Sequence, residues 1–236
     1  MIFVFDGKSA SASSYVQNIW HTRSVGSGSF ISSAAANWEM VITRQAGGVW
    51  LTVRGPETKA TPAPVPADAE FFGISFKLGT YMPHLPGSLL VNGGINLPDA
   101  SSKSFWLKGE AWQFPSYDNA DIFIDQLIRA ELLAHDEVVE GVLQDQPAYA
   151  SIRTVRRRFL HTTGLPYKTI QQIERARQAS TLLQQGKPIL DTVYETGYFD
   201  QAHMTKALKY FIGQTPAQIL RSEEAEQTSF GLTASK

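Results

Sequence analysis

Ser151-Ile152-Arg153-Thr154-Val155-Arg156-Arg157-Arg158-Phe159 and Asp200-Gln201-Ala202-His203-Met204-Thr205-Lys206-Ala207-Leu208-Lys209-Tyr210-Phe211 are two versions of one design. Each opens on a residue whose side-chain oxygen can accept bonds from the free N–H groups of a first helical turn. Each then sorts long polar side chains from apolar ones at helical spacing. In the first, Ile152, Val155 and Phe159 recur at i, i+3 and i+7 and are expected inward, which leaves Arg153, Arg156 and Arg157 outside. In the second, the inward set is His203 or Met204 with Ala207, Leu208 and Phe211, and Gln201, Ala202, Thr205 and Lys206 occupy the opposite face.

The residues between and before these stretches supply a frame for them. Gly164 stops the first helix, and Pro166 opens a long one from about Lys168 to Gln185. Its apolar positions, Ile170, Ile173, Ala176, Ala179, Leu182 and Leu183, recur at threes and fours, as a strut packed on both sides requires. Gly186 and Lys187-Pro188 turn the chain into a shorter helix whose inward residues are expected to be Ile189, Leu190, Val193 and Tyr194. Gly197 stands where a tight helix turn needs a left-handed residue. Upstream, a helix starting at Asn119-Ala120-Asp121 is expected to bury Ile122, Phe123, Leu127, Ile128 and Leu132. Another, from about Asp136 to Gln144, turns Val138, Val139, Val142 and Leu143 inward, and Gln146-Pro147-Ala148-Tyr149-Ala150 forms a loop. The pattern is two helix-turn-helix units on a rigid connector, which suits two successive major-groove faces about 34 Å apart along one side of duplex DNA.

Charge is distributed to match. The chain as a whole is at −1, but residues 150–221 hold eleven Lys and Arg against four Asp and Glu, a local +7. Residues 118–149 stand at −7 and residues 1–117 at +1. A basic block in a near-neutral chain is the footprint of a phosphate-neutralising face, although an ordinary solvated helix surface carries the same charges. With no cysteine, a disulfide framework and a thiolate metal site are both excluded. At 236 residues and 43% hydrophobic content, there is material for one large or two ordinary packed domains. Met1-Ile2-Phe3-Val4-Phe5-Asp6 lacks the basic and apolar regions of a signal peptide, and no run approaches the ~20 apolar residues of a membrane span, so a cytoplasmic protein with no membrane partner is expected.

The first half has a different texture. Short β-favouring runs, Val49-Trp50-Leu51-Thr52-Val53 and Phe71-Phe72-Gly73-Ile74-Ser75-Phe76-Lys77-Leu78 among them, are divided by Gly, Pro and Ser clusters. Thr61-Pro62-Ala63-Pro64-Val65-Pro66 can be neither a central strand nor a helix interior. The expected fold class is therefore α+β multidomain. A mainly β barrel or cupin-like sandwich spans residues 1–117, an all-α double helix-turn-helix domain spans 118–222, and a polar tail spans 223–236.

The stretch from Ser151 to Ile219 resembles the DNA-binding domain of the AraC family of bacterial transcription regulators. The likeness rests on Ser151, Arg153, Arg156-Arg157-Arg158-Phe159 and Thr163-Gly164, and on Tyr194-Glu195-Thr196-Gly197-Tyr198-Phe199-Asp200 through Lys206, Lys209-Tyr210-Phe211 and Gly213-Gln214-Thr215-Pro216. The resemblance implies one bundle of seven helices with two helix-turn-helix motifs. It implies that Arg153, Arg156 and Arg157 read bases in one groove while Gln201, Ala202, Thr205 and Lys206 read them in the next. It further implies control of nearby promoters, often as an activator touching RNA polymerase, under a small effector bound by the other domain. Arg suits this role because its fork donates two bonds to guanine O6 and N7. Ser151, Arg158, Lys168 and Lys209 are placed to hold the DNA backbone. Two departures stand out: Leu208 where a Phe is usual, a loss that Tyr210 and Phe211 could offset, and a first-unit turn, Leu143 to Ala150, longer than the usual Gly-centred one.

The first half resembles, more weakly, the mainly β sensing domains attached to such regulators, through Asn37-Trp38-Glu39-Met40-Val41-Ile42 and Glu70-Phe71-Phe72-Gly73-Ile74-Ser75-Phe76. Trp38, Phe72 and Trp106 are candidates to line an effector pocket. They belong to a larger aromatic set, with Trp20, Trp50, Phe76, Tyr81 and Trp112, whose commoner uses are a β core or a dimer interface. One rival is a cupin-like metal-dependent enzyme using His21, His84 and Glu70; the wide spacing and the lack of a His-x-His pair speak against it. No nucleophile elbow, P-loop or dinucleotide fingerprint occurs, so no enzyme, catalytic residue, metal or cofactor is expected. Another rival is an interaction protein that has lost DNA binding and acts through residues 118–149, against which stands an exposed triple-Arg face. His161 and His203 fall on the two recognition helices, where surface or packing roles suit them. Two motifs in one chain suffice for an asymmetric site, so a monomer and a homodimer are both compatible.

Overall fold

β-branched and aromatic residues at alternate positions draw the first half into strands, Phe3–Ser9 (β1), Val16–Ser24 (β2), Gly28–Ser32 (β3), Glu39–Gln45 (β4), Gly48–Arg54 (β5), Thr61–Val65 (β6), Glu70–Phe76 (β7), Thr80–Tyr81 (β8), Gly94–Asn96 (β9), Asp99–Ser101 (β10), Ser104–Leu107 (β11) and Glu110–Gln113 (β12). The computed structural model describes residues 3–9, 11, 13–144, 146 and 150–221. Six strands form an antiparallel sheet in the order β1-β2-β7-β4-β5-β9, and β10-β11-β12 make a second small sheet. The first half is mainly β, as expected, and among the described residues the large sheet has open edges at β1 and β9. The Pro-rich stretch became β6, paired only with β3, where Pro62 and Pro64 face Ile31 and Ser29. In a two-stranded ribbon every strand is an edge, so a missing N–H can point away from the partner.

Among its described residues the second half holds seven α-helices, Ala120–Arg129 (α1), Glu137–Leu143 (α2), Ile152–Thr163 (α3), Tyr167–Gln184 (α4), Ile189–Glu195 (α5), Gln201–Phe211 (α6) and Pro216–Arg221 (α7). It also returns a strand to the β region, since Ala134–His135 (β13) pairs antiparallel with β8. The expected polar tail at 223–236 and the centre of the expected loop, Pro147 to Tyr149, lie outside the described residues.

Two cores result, and they do not divide where strands give way to helices. The first is the sheet core around Met40, Ile42, Leu51, Phe72, Ile74 and Phe76, and α1 belongs to it through Phe123, Ile124 and Leu127. The second lies among α2–α7, with Phe159, Ile170, Ile173, Met204 and Leu208 at its centre, and it includes Ala34 and Ala36 from the β3–β4 connection. The bundle implied by the resemblance is thus built from α2–α7, while α1 covers the sheet. Several expected inward residues are corrected here. Ile122, Ile152, Leu190 and Tyr194 are exposed, Tyr194 at 90%, and Ile124 takes the buried place expected of Ile122. In each case the choice was between neighbours on adjacent faces of a short or helix-terminal segment, where a spacing of three or four allows either.

The halves meet through backbone. The amides of Ala34 and Ala60 donate to the carbonyls of Phe211 (2.7 Å) and Tyr210 (2.9 Å) at the end of α6, and Arg177 Nη1 reaches the Ala34 carbonyl at 3.3 Å. At the end of α3, Gly164 (φ +74°) lies against the 3₁₀ turn Gly87–Leu89, so close that a Cβ on Gly164 would fall 2.6 Å from the Gly87 backbone.

Candidate nucleic-acid interface

The first unit is α2 and α3. The Asp136 carboxylate accepts from the amides of Val138 and Val139 and caps α2, which buries Val139. Ser151 Oγ accepts from the Thr154 amide at 3.2 Å and caps α3. Val155 and Phe159 hold α3 to the bundle, and Phe159 packs on Tyr167 of α4 with ring centroids 4.6 Å apart. Arg153, Arg156 and Arg157, at i, i+3 and i+4, share the exposed face.

Arg158, expected at the DNA backbone, is exposed as well and has a partner within the unit. Its Nη1 donates to Asp136 Oδ2 at 2.9 Å, and that carboxylate is buried. One carboxylate therefore caps α2 with one oxygen and holds α3 with the other, which fixes the angle between the two helices of the unit. Sequence reasoning missed this pair because its members stand 22 residues apart; the only available hint was an acidic cap followed by one arginine more than a reading face needs.

The second unit is α5 and α6. Its turn is short: Thr196 ends α5, Gly197 takes φ +67° with open space around it, and Asp200 Oδ1 accepts from the His203 amide at 2.6 Å. Met204, Leu208 and Phe211 are buried, which selects Met204 over His203; the His203 ring lies edge-on to Tyr198 at 5.1 Å. Phe211 fills space beside Leu208, whereas Tyr210, the other residue expected to offset the small side chain, is 53% exposed and meets Phe211 edge-on. Gln201, Ala202 and Lys206 are exposed, and Thr205 is half-buried with its hydroxyl bonded to the Gln201 carbonyl. Lys168, in the first turn of α4, and Lys209, in the last turn of α6, are exposed as well.

Between the units runs α4, 18 residues long and thus about 27 Å. It buries Ile170, Ile173, Ala176, Ala179 and Leu183, and small residues at 176, 179 and 180 let the neighbouring helices approach closely. The geometry is that of two capped helices with polar outer faces held on one strut.

A protein-family model described as a helix-turn-helix domain matches residues 147–222. The match falls on the segment that resembles the AraC-type helix-turn-helix domain and supports that resemblance. With this AraC-type domain the protein is a DNA-binding transcription regulator, and double-stranded DNA is its partner. Among solved structures it is similar to ToxT from Vibrio cholerae, at 8% sequence identity and a TM-score of 0.41, covering 88% of this chain and 98% of that one. No curated protein matches the sequence.

In the β region the three aromatic candidates part company. Trp38 is buried, stacked on Phe76 at 3.9 Å with Nε1 donating to the Thr80 carbonyl, and Phe72 is core. Trp106, 45% exposed, lines an open hollow of about 310 Å³. His21, Glu70 and His84 do not converge: His21 is paired across the sheet with Phe72, Glu70 stands between Arg23 and Arg44, and His84 lies in the turn after β8. No cluster of three potential metal ligands occurs among the described residues, and no helix among them is long and apolar enough to cross a membrane.

Proposed function

We propose that this regulator recognises a specific promoter sequence by placing α3 and α6 in successive major grooves on one side of the duplex. The observation that carries the reading is the repetition of one arrangement before and after α4 in the chain: a side-chain-capped helix, anchored by apolar residues, with an exposed face of base-reading chemistry. Arg153, Arg156 and Arg157 are suited to guanine edges, Gln201 to adenine, Ala202 to a thymine methyl group, and Thr205 and Lys206 to acceptors on either purine. Lys168 and Lys209 take phosphates, and Ser151 supports its contact through the free amides at the start of α3. Binding is as a monomer to an asymmetric site, and the outcome is activation at a nearby promoter through contact with RNA polymerase.

Selection of bound duplexes from a random pool at physiological salt tests the reading. A motif with two informative blocks about ten base pairs apart is the expected result. Enrichment of one block alone would reduce the reader to a single helix, and no enrichment would overturn the reading.

A further inference from the structure

Both recognition helices end on the β region, and in the same manner. Gly164 closes α3 with its backbone against that of Gly87, and Gly213 (φ +84°) follows α6 with so little room that a Cβ would fall 2.6 Å from Ile31 Cγ2 of β3. The amides of Ala34 and Ala60 add their bonds to the last carbonyls of α6. These contacts lie beyond the turn and the cap that shape the second unit, so they settle where that unit sits and leave its form alone.

The two resting points are tied to each other. From Gly87 the 3₁₀ turn runs into Leu90, whose carbonyl lies so close to Gly55 that no side chain would fit there. The Asn92 amide then donates to the Pro56 carbonyl at 2.8 Å, and the Gly55 amide to the Gly93 carbonyl at 3.0 Å. Asn92 Oδ1 accepts from both the amide and the hydroxyl of Thr58, at 2.8 and 2.9 Å. Glu57 exchanges two backbone bonds with Ala35, the neighbour of Ala34, and Ala60 stands two residues past Thr58. A hydrogen-bonded path thus leads from the end of α3 to the end of α6 without entering α4. Helices packed on one strut can still slide and turn about it by small amounts. A second tie from another side removes that freedom.

We propose that residues 55–60 and 87–92 are that second tie, locked by Asn92, and that it sets the separation between the two base blocks which the protein accepts. The second half of this statement rests on the two-groove reading; the first does not. Asn92 is a positioning residue, since it is exposed and lies on neither recognition helix. Its φ of +57° is one that Gly adopts freely and Asp tolerates, so Asn92→Gly removes only the acceptor and Asn92→Asp restores it.

The chain has no cysteine, so spin labels attach only where Leu160→Cys and Lys209→Cys place them, at exposed positions in the last turns of α3 and α6. In the full chain without DNA, the distance between the labels is expected to be narrowly distributed with Asn92 or Asn92→Asp and severalfold broader with Asn92→Gly. Equal widths in all three overturn the tie. Affinity of the unlabelled chain is then measured for the selected duplex and for versions with one base pair added or removed between the blocks, a change of about 3.4 Å and about 34°. The wild type is expected to bind the altered duplexes about tenfold less tightly, as for one mismatched base pair, and Asn92→Gly only about twofold less tightly. The same penalty in both overturns the control of spacing and leaves the tie standing. A wild type indifferent to spacing, or one that binds no duplex, overturns the control of spacing together with the two-groove reading, while the label distances still decide the tie.

Discussion

The two helix-turn-helix units reach the same shape by different means. The second is self-contained: a glycine turn, a capping aspartate and a period of buried Met204, Leu208 and Phe211 settle it within about 25 residues of chain. The first depends on others, since its angle is pinned by the Asp136–Arg158 pair and its helix end rests on the Gly87–Leu89 segment of the β region. Their exposed faces differ in the same sense. Three guanidinium groups crowd the first, while the second carries one cation among neutral side chains. The lesson is that a motif repeated within one chain can be self-contained at one end and supported from outside at the other.

Two glycines in the same left-handed conformation give the sharpest way to break this contrast. Gly164→Ala must bear both the unfavourable φ and a clash with the Gly87 backbone, and is expected to cost about 3 kcal/mol of stability in urea unfolding. Gly197→Ala, with open space around it, should cost only about 1 kcal/mol. Equal losses would mean that the β region does not support the first unit.

On the DNA side, Arg156→Ala and Lys206→Ala are each expected to weaken the cognate complex by about 1–3 kcal/mol and to relax preference at one base pair, in opposite halves of the site. A uniform loss across all sequences would turn either residue into a phosphate contact. Smaller again is Arg158→Ala, expected to lower stability by about 1–2 kcal/mol after allowance for its solvent exposure, because Asp136 is left buried without its cation. The slope of affinity against salt should be unchanged by that variant, whereas Lys168→Ala should reduce it by about one. A slope that falls in Arg158→Ala would return this arginine to the DNA backbone.

The smallest difference concerns the caps. Removing either side chain costs a hydrogen bond at a helix start, but Asp200 also brings negative charge to the positive end of α6. Asp200→Ala should therefore lower thermal stability by about 1 kcal/mol and Ser151→Ala by about half as much. The reverse order would show that Ser151 is bound more tightly into its unit than its two contacts with Thr154, through the amide and the hydroxyl, imply.

What was legible in the sequence follows the same division. The second unit could be read almost completely, because a cap, a left-handed glycine and a helical period are relations between residues a few positions apart. The strut α4 was legible for the same reason. Ile152, Leu190 and Tyr194 were misplaced since each lies in the opening turn or on a short helix, where the buried face is decided by the partner rather than by the period. Asp136 with Arg158, β13 with β8, and Ala34 within the helical core were invisible, being contacts between residues separated by 22 positions or more. Among the aromatic residues, composition could nominate Trp38, Phe72 and Trp106 alike; only the packing of the sheet separates two core rings from one at the edge of a hollow.

The placement of α1 and β13 bears on how such a protein can be cut and recombined. A chimera that grafts the helical half onto another β domain at residue 117 would carry away the helix that roofs the donor's own sheet, and would leave the carbonyls of Tyr210 and Phe211 without their donors at Ala60 and Ala34. A transferable unit begins only after β13, and its new host must present a glycine opposite Gly164 and a backbone edge opposite the end of α6. The chain has one junction in its sequence and a different one in its packing, and exchange of parts has to respect the second.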